Sequence, residues 1–178
     1  MIQYRELHKD EWADYAENML ICTQETPFIR DFGEQALQHY RKDPLTGRFV
    51  RELEEEQKAW MEKFEGSLRN YLTGAFDGGT LIGTATIQEA DGQCALGINI
   101  RQAYWGQGIG TALMTRCLAF AGKAGYQTVF LHVMTENVRG LRLYRKLGFL
   151  PTPGAAEEVF RAGKVYHLMK MQLDLHPQ

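Results

Sequence analysis

Two Asp-Gly pairs in the middle of this 178-residue chain limit its possible folds more than any other feature of the sequence. Asp77 with Gly78, and Asp91 with Gly92, each separate two runs that are rich in apolar and β-branched residues. Asp-Gly favours the tight turns that join neighbouring antiparallel strands. The pattern therefore predicts an antiparallel meander of three strands, at residues 71–76, 80–87 and 94–100.

After residue 100 the pattern changes to alternating helices and strands. Residues 108–124 carry apolar side chains at helical spacing, and Gly125 is a typical helix stop. A strand at 127–133, a helix at 139–147 closed by Gly148, a strand beginning at Phe149 and an alternating strand at 165–173 complete the predicted elements. Antiparallel strands followed by a strand–helix–strand unit predict an α+β (mixed α/β) fold, with helices packed on a mixed sheet.

The N-terminal third has a strand and two helices around a long irregular segment. Residues 2–6 alternate like a strand, Asp10 can cap a helix that ends near Cys22, and residues 53–64 show a second helical pattern. Residues 23–50 carry many loop signals around a weak helical stretch at 34–40, and such long segments are usually functional or mobile. No repeat or linker divides the chain, so residues 1–178 are predicted to form a single domain.

Composition argues against several classes of protein. The formal net charge is -2 and no basic face dominates, so no nucleic acid partner is expected. The polar N-terminus and the lack of an apolar run of about 20 residues predict no secretion signal, no membrane partner and a cytoplasmic location. The three cysteines are far apart, which predicts free thiols rather than a disulfide framework or a metal site.

A glycine run is the most informative segment for function. Gly106, Gly108 and Gly110 stand at alternate positions between the third predicted strand and the helix at 108–124. Glycines at this spacing favour neither strand nor helix, but they let a backbone approach a ligand closely. The first turn of a helix also offers free N–H groups and a partial positive charge. The run predicts a phosphate-binding turn, although a glycine-rich turn without a ligand would show the same pattern.

Other phosphate-binding patterns do not fit this run. A dinucleotide fingerprint requires Gly or Ala where Thr111 stands, and an acidic residue about 20 positions later, where residues 126–129 contain none. The P-loop pattern, which ends in Gly-Lys followed by Ser or Thr, is absent as well. The sequence therefore argues against a nucleotide-dependent oxidoreductase.

Two motifs resemble those of the GNAT N-acetyltransferase superfamily. Residues 104–113 resemble its coenzyme A pyrophosphate loop, Q/R-x-x-G-x-G/A, which falls on Trp105, Gly108 and Gly110, with Trp105 in place of Gln or Arg. Residues 137–149 resemble the signature N-x-x-A-x-x-L-Y-x-K-x-G-F, with Gly140 in place of Ala. The motifs occur in the family's order, and the resemblance covers residues 71–149.

The resemblance implies a central sheet of about seven strands, in which the strands at 94–100 and 127–133 are parallel and splay apart. The pantetheine arm of acetyl-CoA would lie in that opening, beside the backbone near Ile98 and Ile100, and Asn137 would bond to it. Asn137 could also act as a helix N-cap. Acetyl-CoA is the implied cosubstrate, and no metal is expected. The residues implied to bind its diphosphate are Gly106, Gln107, Gly108, Ile109, Gly110 and Thr111.

The resemblance further implies direct attack of a neutral amine on the thioester. Tyr144 occupies the position of the family's general acid, and a tyrosine keeps its proton at neutral pH, so it can protonate the departing thiolate. A core tyrosine with a satisfied hydroxyl is the alternative. Glu89 and His132 are candidate bases for the amine, and an ordered water could serve instead. Neither Cys94 nor Cys117 has a His or Asp in a recognisable relation, so no thiol nucleophile is expected.

The sequence predicts the acceptor only by class. A small-molecule amine or amino acid ranks slightly above a protein N-terminus or lysine, and a coenzyme A sensor or a transferase of longer acyl groups stays open. A homodimer is expected by analogy with the family. Residues 23–50 are expected to form part of the acceptor wall, with carboxylates that attract a cationic amine. The candidate wall residues are Phe28, Asp31, Phe32, Glu34 and Tyr40.

Overall fold

A computed structural model describes residues 1–29, 38–90 and 92–175 of the chain. Its strands are β1 (Gln3–Glu6), β2 (Tyr71–Asp77), β3 (Thr80–Ala90), β4 (Gln93–Ile100), β5 (Thr128–Met134), β6 (Leu150–Pro151), β7 (Glu157–Arg161) and β8 (Lys164–Asp174). The α-helices within those ranges are α1 (Trp12–Glu25), α2 (Arg51–Glu62), α3 (Ile109–Lys123) and α4 (Val138–Lys146). Most of the helical stretch predicted at 34–40 lies outside the described residues, as does Asp91.

The strands form one eight-stranded mixed sheet in the order β1-β2-β3-β4-β5-β8-β6, with β7 paired to β8. Strands β1, β2, β3 and β4 pair with one another in succession, and each of these pairs is antiparallel. Strand β4 also pairs with β5, and that pair is parallel. The predicted α+β fold with an antiparallel N-terminal part is therefore confirmed. The sheet has one strand more than predicted, because the largely charged sequence of β7 shows no alternating pattern.

Strands β4 and β5 separate soon after they meet. Within the described residues, their parallel pairing is limited to Cys94 with Val129 and Ala95 with Phe130. Strand β4 continues to residue 100 and β5 to residue 134. Beyond the two paired positions, the described residues of these strands are not hydrogen-bonded to each other. Main-chain groups at such an edge can pair with an extended ligand. This gap is the splayed opening that the motifs imply.

Apolar side chains pack against both faces of the sheet. On one face, α3 buries the stripe predicted for the helix at 108–124, including Ile109, Leu113 and Cys117. On the other face, α1 and α2 pack on β2 and β3 and form a second buried cluster. Successive strand residues point to opposite faces, so Leu81 belongs to the second cluster and Ile82 to the first.

The start of α1 differs from the prediction. Asp10 lies inside a short 3-10 turn, Lys9–Glu11, and the cap position of α1 is Glu11, which makes no side-chain cap bond to that helix. The Glu11 carboxylate accepts hydrogen bonds from the backbone N–H of His8 (3.0 Å) and from Arg5 (2.9 Å). The predicted cap at Asp10 is wrong, because this extra turn precedes the helix.

A buried polar network joins α1 to β4. Asn18 is fully buried and donates from Nδ2 to Oδ1 of Asn99 (2.6 Å), while the Thr84 hydroxyl donates to the same oxygen (3.1 Å). Asn18 Oδ1 accepts a hydrogen bond from Nε of Arg101 (3.1 Å). Buried polar groups are stable only when paired. The network therefore fixes α1 over the part of β4 that borders the gap.

We expect Asn18→Ala to lower the free energy of unfolding by about 2–3 kcal/mol, because it removes two hydrogen bonds of this network. Thr84→Val is the matched control: Asn99 Oδ1 keeps its bond from Asn18, so the loss should be about 1 kcal/mol or less. Urea unfolding measures both values. Equal losses for the two variants would contradict the central position of Asn18.

Candidate functional site

A cleft of about 970 Å³ opens where β4 and β5 separate. Its wall at the gap is called here the sheet end, and it is formed by β4, β5, α4 and the residue before α4. The opposite wall, formed by α1, α2 and the residues between them, is called the helix end. The sheet end includes Ile98, Ile100, His132, Asn137 and Tyr144, and the helix end includes Tyr15, Met19, Tyr40, Gln57 and Trp60.

The glycine run forms a tight turn immediately before α3. Gly106 and Gly108 have φ angles of 77° and 81°, a left-handed conformation that is strained for residues with a Cβ. Gly108 is the N-cap of α3, and no side chain caps the helix there. The N–H groups of the first helical turn are therefore available to an anion, as the sequence predicts.

The other predicted residues of the turn contribute in different ways. Gln107 donates from Nε2 to the carbonyl of Ala103 (3.2 Å), which supports the turn. The Ile109 side chain is buried in the core, so only its backbone can reach a ligand. A Cβ on Gly110 would lie 2.8 Å from Cδ2 of Leu143, so glycine lets α3 pack closely against α4. Thr111 is half-buried in the first turn of α3, beside these N–H groups.

Trp105 stands where the family pattern has Gln or Arg, and it organises the end of β4. Its indole Nε1–H donates to the carbonyl of Ile100 (2.8 Å). The guanidinium of Arg139, from α4, lies 4.6 Å from the centroid of the indole ring, in the geometry of a cation–π contact. Both side chains line the cleft. Helix α4 thus brings a positive charge to the turn that the tryptophan itself lacks.

Asn137 caps α4 and also lines the cleft. Its Oδ1 accepts a hydrogen bond from the backbone N–H of Gly140 (2.9 Å), so the capping interpretation is correct. The cap leaves Nδ2 able to donate to a ligand. A Cβ at position 140 would lie 2.7 Å from that nitrogen, so glycine in place of the family's alanine leaves room for the Asn137 side chain.

Tyr144 lies on α4 at the sheet end and is only 8% exposed. None of the hydrogen bonds in the described part of the chain involves its hydroxyl. Tyr144 is therefore not a core tyrosine whose hydroxyl is bonded to the described backbone. Burial raises the pKa of Tyr144 to about 12. The phenol therefore keeps its proton at neutral pH and can donate it into the cleft.

Glu89 lies on the opposite face of the sheet from the cleft. Its neighbours Gln88 and Ala90 line the cleft, whereas the Glu89 carboxylate bonds to Nε of Arg69 (2.9 Å). That hydrogen bond lowers the pKa of Glu89 and makes it a weaker base. The prediction of Glu89 as catalytic base does not fit this position. Strand β3 continues to Ala90, beyond its predicted end, and its alternation turns Glu89 away from the cleft.

Of the two predicted bases, His132 is the one that lines the cleft. It lies on β5, with its ring edge-on to Phe130 and 5.6 Å between the ring centroids. Glu136 also lines the cleft but is a poor base, because its hydrogen bond with Nδ1 of His167 (2.8 Å) lowers its pKa to about 2. His132 therefore places an imidazole at the sheet end, and imidazole is the side chain that enzymes use most often for general acid–base catalysis.

The helix end is only partly the predicted acceptor wall. Phe28 and Tyr40 line it as predicted, whereas Asp31, Phe32 and Glu34 lie outside the described residues. Sequence reasoning missed the contributions of α1 and α2, because their aromatic residues have the spacing of ordinary core residues. One signal was present: Gln57 interrupts the apolar stripe between Leu53 and Met61.

Thiol and metal chemistry find no support in the described residues. Cys22, Cys94 and Cys117 are free and buried, as predicted. Burial raises the pKa of all three thiols, to about 12 for Cys22 and Cys94, so they stay protonated at neutral pH. Within the described ranges, no cluster of three His, Cys, Asp or Glu side chains is arranged to hold a metal ion, and no helix has the length and apolarity to span a membrane.

Known proteins with the same fold share this arrangement of strands and helices. An acetyltransferase of the GNAT family from Streptococcus pneumoniae has a TM-score of 0.79 at 21% identity, over 99% of this chain and 100% of its own. YncA from Salmonella typhimurium, solved with its cofactor acetyl-CoA, has a TM-score of 0.77 at 20% identity, over 99% and 95%. At these identities the likeness shows the fold alone.

Sequence comparison identifies the family. N-alpha-acetyltransferase RimI of Mycobacterium tuberculosis is 39% identical over 88 residues, which are 47% of this chain and 54% of that relative, so the match spans about half of each protein. The model of the acetyltransferase (GNAT) family matches residues 34–149, which is more than half of the chain. The chain therefore belongs to the acetyltransferase (GNAT) family, as its two motifs predict.

Proposed function

We propose that the protein transfers the acetyl group of acetyl-CoA to a primary amine of a small molecule or amino acid, by direct attack in a ternary complex. The continuous cleft carries this proposal. Its sheet end lies in the β4–β5 gap, next to the turn before α3, and its helix end has room for a second substrate. A ternary complex needs two binding sites that meet, and the cleft joins them.

The coenzyme would bind along the sheet end. Its diphosphate would accept hydrogen bonds from the bare N–H groups that follow Gly108, with Arg139 adding positive charge. The pantetheine arm would pair with the free edge of β4 near Ile98, and Nδ2 of Asn137 would donate to it. The Ile100 carbonyl already accepts a hydrogen bond from Trp105, so Ile98 is the better placed of the two isoleucines. The similar fold of YncA, which was solved with acetyl-CoA, supports this placement.

We expect Gly108→Ala to weaken acetyl-CoA binding by roughly tenfold or more, because a Cβ at a φ of 81° strains the turn that presents the N–H groups. Gly125→Ala is the matched control: Gly125 follows the other end of α3 with a φ of 80°, and its Cβ would also meet open space. Calorimetric titration measures both affinities. A similar loss in both variants would show that strain on the helix, rather than the phosphate turn, controls binding.

The chemistry requires two proton transfers. The neutral amine nitrogen attacks the thioester carbonyl, the carbon–sulfur bond breaks, and Tyr144 donates its hydroxyl proton to the departing sulfur. His132 takes the proton that the amine nitrogen loses. The Tyr144 phenolate then regains a proton from solvent and the His132 imidazolium releases one to solvent, so the balance of atoms and charge closes. This assignment uses Tyr144 and His132, which line the sheet end, and it leaves Glu89 out.

Tyr144→Phe should lower kcat by roughly ten- to ten-thousand-fold, because the thiolate then leaves without a positioned acid. The affinity for acetyl-CoA should change little, since the ring remains. Because burial raises the pKa of Tyr144, the wild-type enzyme should lose no activity through its ionisation between pH 7 and 10. Steady-state kinetics over that pH range test both statements, and an unchanged kcat would refute the assignment.

His132→Gln should lower kcat/KM for the amine by roughly a hundredfold at neutral pH, because the amine then loses its proton acceptor. Glu89→Gln is the control and should leave kcat/KM almost unchanged, because its carboxylate faces away from the cleft. An assay of thiol release from acetyl-CoA measures both variants. A small effect of His132→Gln would mean that water removes the proton. A large effect of Glu89→Gln would support Glu89 as the base for the amine.

A protein N-terminus is the second candidate acceptor. The observation in its favour is the identity of 39% over 88 residues with the N-alpha-acetyltransferase RimI. A screen of thiol release with small amines, free amino acids and short peptides decides between the two. Higher kcat/KM for small amines or amino acids supports our proposal, and turnover restricted to peptides supports the alternative. Binding of acetyl-CoA without release from any acceptor would indicate a sensor.

A further inference from the structure

Gly97, in the middle of β4, has no local reason to be a glycine. Its φ is not positive, so its backbone conformation is open to any residue. A glycine inside a strand weakens the strand, and it often marks a place where a ligand approaches closely. A Cβ at Gly97 would lie 2.9 Å from Oγ1 of Thr86, and among the described residues beyond its chain neighbours no other atom lies within 4 Å. The missing side chain therefore leaves the Thr86 hydroxyl uncovered.

The Thr86 hydroxyl is open to the cleft. Thr86 and Gly97 are paired across β3 and β4, and both line the cleft. Thr86 is half-buried, and its hydroxyl, which is not fully buried, makes no hydrogen bond within the described part of the chain. On the same face, the Thr84 hydroxyl is by contrast bonded to Asn99 (3.1 Å). Thr86 therefore offers a hydrogen-bonding group that the described fold does not use.

A second polar side chain follows on the same face of β3. Gln88 stands two positions after Thr86, so the two side chains point to the same side of the sheet, about 7 Å apart. Gln88 is half-buried, lines the cleft and makes no side-chain hydrogen bond among the described residues. Its partner on β4 is Ala95, so a small residue again stands opposite a polar one. These four residues, Thr86, Gln88, Ala95 and Gly97, are called here the floor strip.

The position and the charge of the surroundings limit what the floor strip can bind. Gly97 is the chain neighbour of Ile98, where the pantetheine arm is proposed to pair, so the strip lies close to the reacting groups. The carboxylates of Glu56 and Glu136 line the cleft and disfavour a negatively charged substrate group. Arg139 is already assigned to the diphosphate. The strip is therefore suited to an uncharged polar group.

We propose that the floor strip selects an acceptor that carries an uncharged amide next to its reacting amine. The Thr86 hydroxyl and the Gln88 amide can each donate and accept a hydrogen bond. A substrate amide presents an acceptor oxygen and a donor N–H, so it can bond to both side chains at once. The proposal rests on the proposed function, because this substrate must meet the thioester in the cleft. It names the acceptor class as α-amino amides, which occur as free amino acid amides and at the first residue of a peptide.

Discrimination arises when the acceptor covers the strip. In the free enzyme both polar side chains can bond to water, and a bound substrate displaces that water. A substrate without the amide then leaves the Thr86 hydroxyl and the Gln88 amide unpaired, which costs more than a mismatch against an apolar wall. Gly97 contributes the room, because a Cβ there would separate the substrate from the hydroxyl.

Amines with the same side chain test this selection in the intact enzyme. L-leucinamide, L-leucine and isoamylamine differ in the group beside the amine, which is an amide, a carboxylate or a hydrogen atom. Their kcat/KM values are compared per concentration of neutral amine, because the pKa values of the three amines differ. We expect the wild-type enzyme to favour leucinamide over each of the others by about tenfold or more. A tripeptide that begins with leucine then shows whether a free amide or a peptide is the better source of this group.

Two variants remove the two features of the strip. Thr86→Val keeps the shape and removes the hydroxyl, so the preference for leucinamide over isoamylamine should fall by about fivefold or more, with unchanged affinity for acetyl-CoA. Gly97→Ala should lower kcat/KM for leucinamide by about tenfold, because its Cβ covers the hydroxyl. The matched controls are the exposed Thr128→Val on β5 and Gly122→Ala on α3, where a Cβ meets open space. Both controls lie outside the cleft lining and should keep the wild-type values.

Thermal unfolding of the ligand-free protein supplies a readout that is independent of turnover. Thr86→Val should leave Tm within about 2 °C of the wild type or raise it, because the hydroxyl makes no bond in the described structure. A larger fall would show that the hydroxyl supports the fold, and would overturn the proposal. Equal rates with leucinamide and isoamylamine, a preference for leucine, or an amide preference that persists in Thr86→Val would also overturn it. No thiol release from any amine would instead overturn the proposed function, and the assignment of the floor strip with it.

Discussion

The early end of pairing between β4 and β5 is the constraint on which the site depends. A parallel sheet normally satisfies the main-chain groups of neighbouring strands along their length. Here the pairing stops at Ala95 and Phe130, and the following residues of β4 face an open gap. Trp105, helix α4 and the buried Tyr144 all border that gap. The same edge that would pair with the next strand in a closed sheet is therefore left for an extended ligand.

Two departures from the family motifs are connected by the packing around this gap. Trp105 replaces a polar residue, yet its indole bonds to the end of β4 and its ring supports Arg139. Gly140 replaces alanine, and the missing Cβ accommodates the Asn137 side chain that caps α4. Helix α4 and its N-cap therefore bring Arg139, Asn137 and Tyr144 to the cleft. The departures change which side chains do the work, and they leave the main-chain geometry of the turn intact.

Sequence reasoning found what the backbone determines and missed what tertiary packing determines. The turn and α3 follow from glycine conformations and apolar spacing, which are local properties, whereas the parallel pair is expected only from the resemblance to the family. Strand β3 continues to Ala90, past its predicted end, so Glu89 is part of the strand. The alternation of side chains along the strand then points Glu89 away from the cleft. The helix end depends on α1 packing against α2 across residues distant in sequence. The spacing of Tyr15 and Trp60 indicated a buried face, but it could not show that this face borders a cleft.

The two buried amides of this region, those of Asn18 and Gln57, differ in how their atoms are bonded. Asn18 has both ends of its amide bonded, and it fixes α1 to Asn99, between the two isoleucines of β4 at the sheet end. Gln57 lines the cleft, but its oxygen is buried and accepts no hydrogen bond. The satisfied amide sets the position of α1, and with it Tyr15 and Met19, relative to the edge of β4. The polar network thereby fixes the helix end of the cleft relative to the sheet end, and the amide atoms of Asn18 are bonded within the protein.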